Sequence, residues 1–281
     1  MRRSRLIRIG LPCLLVAVTG AALAQRWRWR DYPPPGVIPA DRAGVPDWEV
    51  DERFGRDVFT FVRVEYDSYG GRGRWGGGWL TDFPDSDLNF SYRLQQLTSL
   101  RVDPEPITLR LTDERLFDYP FVYMIEPGAL YFSDDEVKAL RRYLLNGGFL
   151  MVDDFWGDYE WENFYQQIKR VFPDREPVEL PADHEIFRCV YRLKEKPQVP
   201  SIHSWARGGV DWEYGHGGDT REVHYKGIFD DDGRMMAIIC HNTDLGDGWE
   251  REGENVEYFR EYSEKKSYPM GINIVTYAMT H

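Results

Sequence analysis

Two adjacent carboxylates, Asp153 and Asp154, follow the apolar run Phe149-Leu150-Met151-Val152. Carboxylates bind cations, accept hydrogen bonds from hydroxyl groups, and divide acid and base roles where their surroundings separate their pKa values. Neighbouring residues on a strand point to opposite sides, so a facing pair needs a further acid such as Glu126 or Asp82, unless the loop turns sharply. The candidate catalytic groups are Asp153, Asp154 and Glu126. The candidate ligand-binding set is Asp82, Asp153, Asp154, Trp156 and His184, with Trp156 offering a flat face suited to sugar-like rings. No Cys, Ser or His stands at the exit from this run to act as a nucleophile. No His-x-x-x-His, Cys-x-x-Cys or calcium-loop spacing occurs, so no cofactor and no metal are expected; His184 and His241, beside Asp153 and Asp154, are the weak metal candidates.

An open α/β sheet would position these residues, because ligands bind such sheets at the carboxyl ends of the strands. Phe121-Val122-Tyr123-Met124-Ile125 reads as a strand buried on both faces. Ser133-Asp134-Asp135-Glu136 is a capping box, followed by Val137, Leu140 and Leu144 at helical spacing and by Asn146-Gly147-Gly148 as the stop. Phe149–Val152 is then a second strand, parallel to the first through a right-handed crossover. Val58–Tyr66 is a first strand, and Ile107, Leu109 and Leu111 alternate as another. Asp85 and Asp87 precede a helix carrying Phe90, Leu94 and Leu97, and are read as caps or as ligands. Trp161, Phe164, Ile168 and Val171 mark a helix that stops at Pro173. Asp183–Phe187 reads as a helical turn capped by Asp183. A late antiparallel hairpin joins Tyr225–Asp230 to Met235–Cys240 around Asp231-Asp232-Gly233-Arg234. Val256, Phe259 and Tyr262 suggest a polar helix, and Met270, Ile274 and Tyr277 a terminal one. The fold expected is α/β, a mostly parallel sheet with helices on both faces.

The amino terminus suggests export. Arg2, Arg3, Arg5 and Arg8 precede an apolar run from Ile9 to about Leu23, and Ala22-Leu23-Ala24 has a small-x-small pattern: residues 1–24 read as a signal peptide. Its removal takes four arginines and moves the formal charge from −12 to −16. Such an acidic chain repels nucleic acid and anionic membrane surfaces, and no stable membrane span is expected after cleavage. Residues 25–55, with Arg26-Trp27-Arg28-Trp29-Arg30 and Pro33-Pro34-Pro35, read as a linker, and 56–281 as one α/β domain. Tyr69–Gly78 is glycine-rich, either a lid or a connection, and lacks the ending of a phosphate loop. Trp75, Trp79, Trp156 and Trp161 gather near the expected strand ends, as core or as binding faces. Cys189 and Cys240 either pair in an oxidising compartment or remain free buried thiols.

Several segments resemble a known bacterial family, "domain of unknown function 4159": Asp82-Phe83-Pro84-Asp85-Ser86-Asp87-Leu88-Asn89, Tyr119-Pro120-Phe121, Leu140 to Asp154, Asp183-His184-Glu185-Ile186-Phe187, and Met270-Gly271-Ile272-Asn273. The resemblance runs from about Phe59 to His281. It implies a domain similar to the class I glutamine amidotransferase-like, flavodoxin-like fold. Those enzymes carry a cysteine where this chain has Asp153-Asp154, so glutaminase activity is not expected. The expectation is an exported, periplasmic or extracellular domain that is non-catalytic, binding a polar ligand or an envelope protein. The alternative is a carboxylate-dependent hydrolase acting on a glycan or other polar envelope substrate.

Overall fold

A computed structural model describes residues 36–51, 53, 57–69 and 78–281. The expected signal peptide, the Arg/Trp and Pro-rich part of the linker, and Trp75 in the glycine-rich segment lie outside the described residues. The chain divides into two units, residues 1–40 and 41–281.

Seven strands form one sheet in the order β3-β1-β4-β6-β9-β8-β7. They are β1 (Val62–Glu65), β3 (Ile107–Arg110), β4 (Phe121–Ile125), β6 (Phe149–Asp153), β7 (Val178–Glu179), β8 (His224–Phe229) and β9 (Met235–His241). β2 (Asp67–Ser68) and β5 (Leu130–Tyr131) pair separately and antiparallel. From β3 to β9 every pairing is parallel, and β8 and β7 add antiparallel. The fold class is therefore the α/β arrangement expected, including the late hairpin. The first strand is shorter than its β-rich sequence suggests: Phe59 makes only an isolated bridge to Val102, and the ladder begins at Val62.

The side-chain alternation of the central strands divides the core in two. Phe121, Tyr123, Ile125, Phe149 and Met151 pack with Phe90, Leu94, Ile272 and Val275 in one cluster. Val122, Met124, Leu150 and Val152 pack with Leu140, Leu144, Phe164 and Ile168 in the other. Helices α1 (Asp85–Leu97) and α7 (Tyr268–Thr280) thus serve one face, and α2 (Asp134–Leu145) and α3 (Gly157–Val171) the other. Both central strands are buried throughout because helices sit on both sides, which is why neither shows a polar alternation.

Local signals act as their chemistry dictates. Ser133 and Glu136 complete both halves of the capping box on α2. Gly147 takes φ 102° after the Asn146 cap, a conformation that glycine adopts freely. Other details depart from expectation. Leu97 and Val256 are exposed, so neither belongs to a buried stripe. The polar helix begins at Val256–Tyr258 (α6) and continues as π-helix over Phe259–Ser267 before α7; Tyr258 and Tyr262 form its buried side. Within the stretch expected as linker, Arg42 donates to the Pro104 carbonyl (2.7 Å) and Trp48 to that of Val102 (2.8 Å), so this part packs on the α/β unit.

Cys189 and Cys240 do not form a disulfide. Both are free: Cys189 is exposed, and Cys240 is buried on β9 in the core. Among the described residues no helix is long and apolar enough to cross a membrane.

Candidate functional site

The carboxyl ends of β4, β6 and β9 open on a cleft of about 660 Å³. Asp82, Glu126, Asp154, Glu160, Glu213, Asp244 and Asp247 line it, against His216 and Arg251. Three of these acids sit in the left-handed region: Asp82 at φ 61°, Glu126 at φ 47° and Asp154 at φ 54°. This conformation is costly for residues with a Cβ and often accompanies a functional constraint. Its effect here is directional. β6 ends at Asp153, and the kink at Asp154 turns that carboxylate into the cleft instead of letting the strand alternation decide.

Asp153 and Asp154 consequently have different surroundings. Asp153 is fully buried beneath the cleft and does not line it. Its Oδ2 accepts from Tyr123 Oη (3.2 Å) and from the Gly246 amide (3.0 Å), while its Oδ1 has no partner. Burial pushes its pKa up to about 7. It thereby pins helix α5 (Leu245–Glu250) to the end of the sheet. Gly246 permits this approach: a Cβ there would meet Asp82 Oδ2 and Tyr123 Oη at 2.8 Å. Asp154 accepts from Trp156 Nε1 at its Oδ1 (3.1 Å) and caps no helix. Burial, then the charges of Glu126 and Asp82, hold its pKa well above the carboxylate range.

The opposite wall is built from the turn after β4, the first turn of α3 and the segment carrying Glu213 and His216. Glu126 extends the β4 ladder by donating its amide to the Asp153 carbonyl (3.1 Å), and its own side chain accepts from the Gly78 amide. The Tyr66 hydroxyl anchors this turn through the carbonyls of Ile125 (2.6 Å) and Glu126 (2.7 Å). Burial raises the Glu126 pKa. Glu160, in the first turn of α3, accepts from the Trp156 amide (2.8 Å) and holds His216 Nδ1 at 2.9 Å. His216 Nε2 meets Glu213 at 3.1 Å, and the two carboxylates push the imidazole pKa up to about 10. A protonated His216 thus ties two acids of the rim together.

Asp82 is placed by a buried ion pair. Arg63 on β1 is wholly buried with Asp87 of α1. Its guanidinium donates to both Asp87 oxygens, to Ser86 Oγ (2.8 Å), and to the carbonyls of Trp79 (3.0 Å) and Thr81 (2.8 Å). The segment between those carbonyls and α1 is thereby fixed, and Asp82 lies within it. Asp244 is the N-cap of α5, its Oδ1 accepting from the Asp247 amide (2.7 Å). Asp247 in turn accepts from the Ile202 amide (2.8 Å) and Tyr258 Oη (3.1 Å), and pairs with Arg251 Nε (3.3 Å).

Of the acids and aromatics expected from sequence, the structure brings together Asp82, Glu126, Asp154 and Trp156. His184 is elsewhere: its Nδ1 caps the 3-10 turn Glu185–Phe187 by accepting from the Ile186 amide (3.2 Å), a role expected of Asp183. His241 is also outside the cleft. It meets the Gly157 carbonyl through Nε2 (3.1 Å), stacks among Phe155 and Trp161, and burial pushes its pKa down to about 4. Neither of these histidines, the weak metal candidates of the sequence, joins Asp153 and Asp154 in a ligand cluster among the described residues. The residues that could hold a metal are carboxylates: Asp82, Asp154 and Asp244 in one triad, and Asp82, Asp247 and Glu250 in another. Trp79 and Trp161 belong to the core, not to the cleft. Sequence reasoning missed Glu160, Glu213, His216, Asp247 and Arg251; only the Asp244-x-x-Asp247 capping spacing carried a signal.

Fold and site together define a mostly parallel α/β protein with an acid-lined cleft at the carboxyl ends of its strands. The family model for Domain of unknown function (DUF4159) matches residues 60–279, and the chain belongs to that family. No curated protein matches the chain in sequence.

Proposed function

We propose that this chain is an exported ligand-binding domain whose acidic cleft takes a polar ligand bearing amino or hydroxyl groups. The observation that carries this reading is the seven-carboxylate lining of the cleft, opposed among the described lining residues by His216 and Arg251 alone. Concentrating acids in a half-enclosed space costs folding free energy. Asp154 caps no helix, and its hydrogen bond from Trp156 Nε1 occupies only one of its two oxygens. Export rests on the basic head, apolar run and Ala22-Leu23-Ala24 of the sequence. Nucleic acid is repelled by the same acids that line the cleft.

The test is a thermal-shift screen of polyamines, amino sugars and oligosaccharides against the parent and Asp154→Asn. A ligand at a hundred times its Kd stabilises by about 2.7 kcal/mol, a shift of roughly 5–10 °C for a domain of this size. The parent shifts and the variant does not. Equal shifts in both would remove the cleft from the account.

A second reading, hydrolysis by paired carboxylates, is favoured by one observation: Glu126 is the foremost neighbouring charge that raises the Asp154 pKa. A pair sharing a proton can divide acid and base roles. Turnover of a bound glycan that is abolished in both Glu126→Gln and Asp154→Asn would select this reading.

A further inference from the structure

Asp82, Asp154 and Asp244 reach the cleft from three separate segments of chain. Each nevertheless presents a carboxylate oxygen within 4.8 Å of the other two. Asp154 is 8% exposed and Asp244 4%. Each spends one oxygen inside the protein, Asp154 Oδ1 on Trp156 and Asp244 Oδ1 on the Asp247 amide, and no described residue donates a hydrogen bond to the second oxygen of either. Asp82 Oδ2 is likewise buried without a partner. Among the described residues, the basic side chains at hand are committed elsewhere: Arg63 to Asp87, Arg251 to Asp247 and Glu250, and His216 to Glu160 and Glu213. The second triad, Asp82 with Asp247 and Glu250, therefore already has a paired cation. Among the described residues no basic side chain forms an ion pair with an acid of the first.

We propose that Asp82, Asp154 and Asp244 coordinate a hard divalent cation of the Ca²⁺/Mg²⁺ class. This rests on the reading of the cleft as the binding site and names the ion that site takes. The donor set is oxygen alone, which selects hard cations over Zn²⁺ or Cu²⁺. The histidines that would favour a softer ion are outside the triad: His241 is held at Gly157 and His184 at its own turn. Burial, and after it repulsion among neighbouring acids, raises all three carboxyl pKa values; a bound cation offsets that repulsion. The rival way to hold such a triad is to keep its carboxyls protonated, and that state binds no ion.

The full chain, stripped with a chelator and dialysed, is titrated with Ca²⁺, Mg²⁺ and Mn²⁺ separately by calorimetry at neutral pH. Tb³⁺ luminescence excited through tryptophan reports locally, because Trp156 is bonded to Asp154. We expect saturable binding of one ion per chain. Asp154→Asn and Asp244→Asn each weaken it by roughly tenfold or more, and Asp232→Asn, in the exposed hairpin turn, leaves it unchanged. Metal-free Asp154→Asn melts no lower than the metal-free parent, since the change removes repulsion and keeps a hydrogen-bond acceptor for Trp156. The proposal is overturned if none of the ions binds at millimolar concentration, if both Asn variants bind like the parent, or if the metal-free Asn variants are unfolded. Should no ion bind while a polyamine or sugar still stabilises the parent and not Asp154→Asn, the cation falls and the cleft reading stands.

Discussion

Asp87→Ala will destabilise the protein severely and disable the cleft, although Asp87 does not line it. Arg63 and Asp87 are both fully buried, and Asp87 accepts three of the guanidinium's hydrogen bonds. Removing the carboxylate leaves a positive charge in the core whose remaining hydrogen-bond acceptors are the Trp79 and Thr81 carbonyls and Ser86 Oγ. Breaking one side of a buried pair costs about 3–5 kcal/mol. At ~2–4 °C per kcal/mol the melting temperature falls by roughly 6–20 °C. The double variant Arg63→Met/Asp87→Leu removes both charges and recovers part of that loss; the two freed carbonyls keep the recovery incomplete. Urea unfolding of the parent, both singles and the double gives the coupling energy directly. Ligand-induced thermal shift follows the cleft in the same samples. A loss under about 1 kcal/mol for Asp87→Ala, or a double variant no better than the worse single, would refute the claim that this pair holds the Asp82 segment in place.

Two further outcomes follow from the geometry. Gly128→Ala puts a Cβ 2.6 Å from Glu160 Cγ, so Glu160 must leave Trp156 and His216; denaturant titration should show a loss of ~1–3 kcal/mol, and unchanged stability would contradict it. His216 has its pKa raised from 6.5 to about 10, so its contribution is complete below pH 6.5 and is shed as pH rises towards 10. The gap between parent and His216→Gln, roughly 2 kcal/mol after allowing for solvent screening, is therefore present at pH 6 and closes by about pH 10. A gap that widens with pH reverses the sign of the argument.

Much of the fold was legible because burial and capping are local in sequence. Phe149–Val152 could only be a strand covered on both faces, and Ser133 with Glu136 could only open a helix. The alternation Phe121-Val122-Tyr123 carried the two-sided core. The site was half legible for a physical reason: strand periodicity says that Asp153 and Asp154 diverge but not which one meets the cleft. The positive φ at Asp154 decides that, and it is set by tertiary packing. Glu213 and His216 come from a loop without periodicity, so nothing in the sequence places them opposite Glu160. His184 and Asp183 are both competent caps, and the turn starting at Glu185 makes His184, at φ −58° and ψ 142°, the N-cap. Trp79 and Trp161 carry no mark that distinguishes a core tryptophan from a cleft one. The free state of Cys189 and Cys240 was left open by composition and follows from where β9 puts Cys240, inside the core.

The most direct measurement is a crystal structure of the chelator-stripped protein soaked in Mn²⁺, with an anomalous difference map. The account predicts a peak in the cleft, about 2.0–2.6 Å from oxygens of Asp82, Asp154 and Asp244. Manganese bound only at the outer surface, with the three carboxylates turned away from one another, would contradict it.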